Sequence, residues 1–402
     1  MPSLSKIKEN FANTFHIFVP SEQLEPSSLA RTRIVLIVVS VTTVATLFLH
    51  LLRLNTVIDS DEYFYKTAAL TIINHSPCGP LSYLASLQPC NLEHPPFAKV
   101  LMAASILVFG PGNLGVRLPS IISGVLSVPA IAWLVWSLSG GSAKTTLAAS
   151  ILLAASPTWF LLSSVGMLDS TQLFLGILAL AVYFSKIGRQ SVRDVLSGVL
   201  FGLSILSKEV GVLFLAGIVI YELLFGRPRR LLYPLIFSAL TIFAGLWIYD
   251  LIFTPFSNPL QHVLFIVDTG LRLRYQGGFL LSPLKWFFQP REVILVALFF
   301  LWVPAALLMI RGKRQQRKSS EGLLPISLVL LLVTLVPPTI LFYLNHRQEY
   351  LFYEVQVLPA LVLGASGFLG WRRAPWYALL AAVVASMYLF AFYFPSLLSV
   401  YF

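Results

Sequence analysis

Four consecutive polar residues, Asp59-Ser60-Asp61-Glu62, follow the first long apolar run, with Tyr63 and Tyr65 just beyond. Paired carboxylates suit two jobs, general-base catalysis and cation binding. The plainer reading is a helix N-cap by Asp59 or Ser60, yet a cap at Ser60 still leaves Asp61 and Glu62 on the first turn. The segment Glu93-His94-Pro95-Pro96-Phe97-Ala98-Lys99 comes next. Its two prolines fix the backbone and hold His94 and Lys99 near one level, whether for chemistry or as a rigid helix start with a snorkelling lysine.

Asp169 follows Met167-Leu168 and opens another apolar run, where an N-cap is the plain alternative. Lys208 lies between two apolar stretches in LSILSKEVGVLF. A lysine there needs a counter-anion, and a bound phosphate or the adjacent Glu209 would serve. Arg117 in GVRLPS is similar, with a rim anchor as the ordinary reading. A later loop brings His262, Asp268, Arg272 and Arg274, and the segment NHRQEYLFYEVQVLPAL brings Arg347, Tyr350, Tyr353 and Gln356. His262 with Glu93 or His94 has the ligand types for a divalent metal, if the fold brings them together. No other cofactor is implied.

The elements that must carry these residues are apolar helices. Of 402 residues 57% are hydrophobic and 11% charged, against about 25% charged in a soluble domain. The stretch 34–52 is long enough to cross a hydrocarbon core of about 30 Å, and similar stretches recur along the chain. No cleavable signal peptide is visible. The net charge of +11 would fit nucleic acid in a soluble protein. Here the basic residues cluster in short loops, as the positive-inside rule requires, so nucleic acid is not expected as a partner.

Spans are expected near 34–52, 118–138, 145–165, 171–187, 194–207, 210–226, 232–250, 291–310, 324–344, 353–370 and 374–394. The stretch 97–110 is too short to cross and suits an interfacial helix, with a second at 61–73. Leaving 97–110 out of the crossing set puts Lys144, Lys186–Arg193, Arg227–Arg230, Arg311–Lys318 and Arg372–Arg373 on the inside. The fold expected is therefore an all-α polytopic membrane protein of about eleven transmembrane helices, N-terminus in and C-terminus out. Its organisation is a cytoplasmic segment 1–33 and a single membrane domain 34–402, with outer loops near 53–117 and 250–290 and no appended soluble domain. The remaining charges then fall on the outer face, including Asp61, Glu62, Glu93, His94, Lys99, Arg117, Asp169, Lys208 and His262. Ionisable groups near membrane depth are expensive and usually functional. Both cysteines, Cys78 and Cys90, lie in the first outer loop, where an oxidising compartment lets them pair; two buried thiols are the alternative. Asn74-His75-Ser76 in the same loop is a glycosylation sequon.

The order of motifs — an acidic DE pair, HPPxxK, xRLPSxxxG, MLDSTQLF, GLSILSKEVG and a late YEVQVLPAL — resembles the family-39 branch of the GT-C membrane glycosyltransferases. That branch includes dolichyl-phosphate-mannose:protein mannosyltransferases and aminoarabinose transferases acting on lipid A. The resemblance implies a multi-spanning fold, an extracytoplasmic site and a polyprenyl (dolichyl) phosphate sugar donor. It implies catalytic roles for Asp61, Glu62 and Asp169. By motif it places His94 and Lys99 on the HPP motif, and Arg117 and Lys208 on further motif positions; these four are expected to bind the donor phosphate, with Arg274 and Tyr353 expected beside them. The acceptor would be protein, lipid or glycan. The sequence departs from relatives in carrying Glu209 where many have a small residue. Two other readings compete. A secondary transporter or flippase would need charges near the midplane rather than at one face, and a non-catalytic subunit of a membrane complex would not need the acidic pair and Lys208 intact.

Overall fold

The computed structural model describes residues 26–56, 60–76, 78, 89–272, 296–298, 323–344, 355–370, 381–382 and 384. These residues are helical or lie in the turns between helices. Helix α1 is Pro26–Leu52, α2 Ser60–Ile73, α3 Phe97–Phe109 and α4 Asn113–Leu138. They are followed by α5 Ala143–Ala154, α6 Pro157–Ser163, α7 Leu168–Phe184, α8 Gln190–Ser207 and α9 Val212–Leu224. Then come α10 Leu232–Phe253, α11 Pro259–Arg272, α12 Leu323–Leu344 and α13 Leu358–Gly370. Three stretches, Ala30–Leu52, Asn113–Leu138 and Pro228–Phe253, are each long and apolar enough to cross a membrane alone. The expected spans 291–310 and 374–394 lie almost wholly outside the described residues.

Helix α3 has 13 residues. At 1.5 Å per residue it reaches about 20 Å, short of a hydrocarbon core of about 30 Å. It begins directly after Pro95-Pro96 and stops at Gly110, whose φ of +80° is left-handed. The expected single span 145–165 is broken in two. Helices α5 and α6 meet at an angle of 58°. The cause is local, because Pro157 has no N–H to continue α5 and sits at the first position of a new helix. Ser156 caps that helix by accepting from the Trp159 N–H.

Without a hydrophobic force between helices in lipid, packing relies on close approach. Helix α8 shows this. A Cβ at Gly198 would lie 2.8 Å from the Pro234 carbonyl oxygen, and one at Gly202 2.9 Å from that of Ser238. The spacing of four places both glycines on one face, pressed against α10. Helix α7 is buried between α4 and α8, and α1 covers α4 and α5.

The C-termini of α1 and α8 and the N-termini of α2, α3, α4, α7 and α9 meet at one end of the bundle. At the other ends of the same helices stand Lys144, Lys186, Arg189, Arg193, Arg227, Arg229 and Arg230. That second end has its own polar lock. The Arg230 Nε donates to Asp194 Oδ1 at 2.9 Å, and the Tyr183 hydroxyl donates to Glu222 Oε1 at 2.8 Å.

Candidate active site

The first turn of α2 carries Asp61 and Glu62. Glu62 is fully buried and faces Arg117 of α4, also fully buried. The Arg117 Nε donates to Glu62 Oε1 at 2.7 Å and its Nη2 to Oε2 at 2.8 Å, a fork-on-fork pair. The Arg117 Nη1 donates to the carbonyls of Arg53 and Leu54 at 3.1 and 3.2 Å and to Thr56 Oγ1 at 2.7 Å. Glu62 Oε1 also accepts the Gly166 backbone N–H at 2.8 Å. These bonds tie the end of α1 and the starts of α2 and α4 to the turn before α7. Asp61, next to this clamp, is half-buried.

Three residues beyond Gly166, Asp169 stands in the first turn of α7. Its two carboxylate oxygens accept from Lys208 Nζ, each at 2.9 Å, and both side chains have no exposed surface. Gln356, on the turn leading into α13, brings its Nε2 to 3.5 Å from Asp169 Oδ1. Glu209, adjacent to Lys208, turns the other way. Lys208 is extended, with φ −157° and ψ 139°, so successive side chains diverge. Glu209 Oε2 lies 2.8 Å from His94 Nδ1, at side-chain exposures of 32% and 17%, which makes this pair the open edge of the cluster. Burial pushes the Glu209 carboxyl up, but His94 by charge and hydrogen bond, together with Lys208, outweighs it and holds the group at about 2.

Lys99 is wholly buried and donates to three carbonyls, of Cys90, Asn91 and His94. It therefore organises the loop that presents His94. Burial pushes its ammonium down to about 7, opposed by Glu93 and Glu209. Cys78 and Cys90 are disulfide-bonded, joining the end of α2 to this loop. The Tyr65 ring of α2 meets His94 edge-on at 6.0 Å.

His262 of α11 is buried, with Nδ1 2.7 Å from Asp250 Oδ1 and Nε2 3.2 Å from the Leu92 carbonyl. Glu93 Oε1 accepts instead from Asn91 Nδ2 at 2.7 Å. Among the described residues no three His, Cys, Asp or Glu side chains come together as a metal site. Asp59, Arg274 and Tyr353 lie outside the described residues. Sequence reasoning missed Gly166, whose N–H completes the clamp. It also left Gln172, a polar amide inside the apolar run of α7, without a role.

Residues 93–251 match the family model described as dolichyl-phosphate-mannose-protein mannosyltransferase. No curated protein sequence matches the chain. Among solved structures, ArnT from Cupriavidus metallidurans bound to undecaprenyl phosphate aligns with a TM-score of 0.58 at 18% identity, covering 85% of this chain and 59% of that one. The apo oligosaccharyltransferase of Archaeoglobus fulgidus aligns with a TM-score of 0.57 at 14% identity, covering 89% and 55%. The archaeal oligosaccharyltransferase AglB from the same organism, in complex with an inhibitory peptide and a dolichol-phosphate, gives 0.54 at 13% identity, covering 89% and 55%. The chain thus spans under two thirds of the length of each. It has the fold of the GT-C membrane glycosyltransferases, and its stretch 93–251 matches their dolichyl-phosphate-mannose-protein mannosyltransferase model.

Proposed function

We propose that this chain is a glycosyltransferase that moves a sugar from a polyprenyl (dolichyl) phosphate to an acceptor hydroxyl on the extracytoplasmic face, inverting the anomeric centre. One observation carries the reading. Three contacts, Glu62 with Gly166, Asp169 with Lys208 and Glu209 with His94, joined by short stretches of chain, gather acids and cations from α2, α7, the end of α8 and the HPP loop at one bundle end beside Asp61. The bound undecaprenyl phosphate of ArnT and dolichol-phosphate of AglB support the donor class by likeness of fold.

A polyprenyl phosphate is already a fair leaving group, so no general acid is required. What is required is a base for the acceptor hydroxyl and positive charge for the departing phosphate. Asp61 takes the acceptor proton as the hydroxyl oxygen bonds to the anomeric carbon. The bond from that carbon to the phosphate oxygen breaks, and its electron pair leaves with the phosphate. Glu62 and Arg117, held on each other, fix the turn that presents Asp61. Lys208 receives the phosphate, which displaces Asp169 from the ammonium and frees it to orient the acceptor. Lys99 shapes the His94 loop, with Arg274 and Tyr353 as further donor contacts. The acceptor is protein, lipid or glycan.

The test is Asp61→Asn in purified protein given labelled polyprenyl-phosphate mannose and membrane acceptors. Transfer should vanish while thermal unfolding stays as in the wild type. Near-normal transfer by the variant would sink the assignment. Uptake of donor without turnover by the wild type would instead select a transporter.

A further inference from the structure

Two buried amides flank the Asp169–Lys208 pair without being satisfied by it. Gln172 stands one turn along α7 from Asp169, on the same side of the helix. It has no exposed surface, and neither its amide oxygen nor its nitrogen has a hydrogen-bond partner. Gln356 is 1% exposed; its nitrogen reaches Asp169 only at 3.5 Å, and its oxygen has no partner. Roughly nine in ten buried polar groups in native proteins are bonded, and each exception calls for a reason. Orphaned hydroxyls elsewhere, such as those of Ser105 and Thr269, are single rotating groups. A planar amide has a fixed acceptor and two fixed donors, so Gln172 is unmatched at both ends. Folding gives no reason to keep it, because an apolar side chain of similar shape is neutral or stabilising at such a site.

We infer that Gln172 and Gln356 form a subsite that reads the hydroxyl groups of the donor sugar, an inference that rests on the proposed glycosyl transfer. An ionised phosphodiester only accepts, so it would leave both orphaned amide oxygens unmet; neighbouring hydroxyls, each of which donates and accepts, match the amides. The position agrees. If Lys208 holds the phosphate, the sugar begins one bond away from it, within reach of groups that surround Asp169. Hydroxyls pairing with the three orphaned amide atoms would make the bound state the better-satisfied one.

The experiment compares binding of bare undecaprenyl phosphate and of undecaprenyl-phosphate mannose to the full chain in nanodiscs. The wild type should bind the mannosyl form more tightly. Gln172→Leu and Gln356→Leu should each lose about three- to tenfold for the mannosyl form and nothing for the bare phosphate. Their melting temperatures should equal or exceed that of the wild type, and Gln172→Met should behave likewise. Equal loss for both ligands, retention of the sugar preference, or a fall in melting temperature would each overturn the inference. A wild type that binds both ligands equally would also overturn it. Binding of neither ligand would instead refute the glycosyl-transfer reading beneath it.

Discussion

Removing Arg117 would leave the Glu62 carboxylate buried without its guanidinium partner. Breaking a buried pair from one side costs about 3–5 kcal/mol, chiefly because the survivor keeps its desolvated charge. Arg117→Met should lose at least that much, since the carbonyls of Arg53 and Leu54 lose their donor too. Glu62→Gln keeps the shape and also strands a charge, so it belongs in the same range. The double variant strands neither charge. Its cost is the loosened end of α1, about 1.5–3 kcal/mol for hydrogen bonds to a charged group, and it should stand no worse than the poorer single. The coupling measured by the cycle, the two single costs less the double, is then at least about 3 kcal/mol. Reversible unfolding by SDS titration in mixed micelles measures it, with transfer activity followed alongside. Activity should fall in all three variants, because the turn carrying Asp61 is no longer held. Singles within about 1 kcal/mol of the wild type, or costs that add to within about 0.5 kcal/mol, would refute the clamp.

The same geometry bears on three other sites. A Cβ at Gly166 would lie 3.0 Å from Glu62 Oε1 and 2.9 Å from Val116 Cγ1, so Gly166→Ala should destabilise by about 1–3 kcal/mol. Wild-type unfolding of that variant would count against it. Cys78→Ser opens a link between residues 12 apart and should cost up to about 3 kcal/mol in thermal unfolding, matched by reductant on the wild type; a variant as stable as the oxidised wild type would speak against a constraining role. A carboxyl held at about 2 rather than its ordinary 4.5 stabilises the fold fully above pH 4.5, and that stabilisation fades as pH falls toward 2. Glu209→Gln should therefore be less stable at neutral pH and flatter between pH 4.5 and 2; identical acid slopes would exclude this linkage.

Much of the helical frame is legible as apolar runs. The expected 118–138 and 232–250 correspond to Asn113–Leu138 and Leu232–Phe253, because length and composition set a helix in lipid. The break at Ser156-Pro157 was also written locally, as a cap followed by a first-position proline, but an uninterrupted apolar window hides it. Partners are a different matter. Lys208 has Glu209 beside it in sequence, yet its ammonium meets Asp169, 39 residues away. Arg117 reads as a rim anchor and is a buried partner of Glu62, 55 residues away. Such pairings follow from how α2, α4, α7 and α8 pack, which no periodicity encodes.

The extended residue between α8 and α9 carries a consequence for how this chain can vary. Lys208 and Glu209 point to different partners because Lys208 is extended between the end of α8 and a 3-10 turn, Glu209–Gly211, that leads into α9. Deleting a single residue there would bring Glu209 to the place of Lys208, aiming a carboxylate at Asp169 and leaving His94 opposite Val210. A slip of register at this joint changes the charge that faces two partners, Asp169 and His94, at once. At this joint, chain length matters as much as residue type.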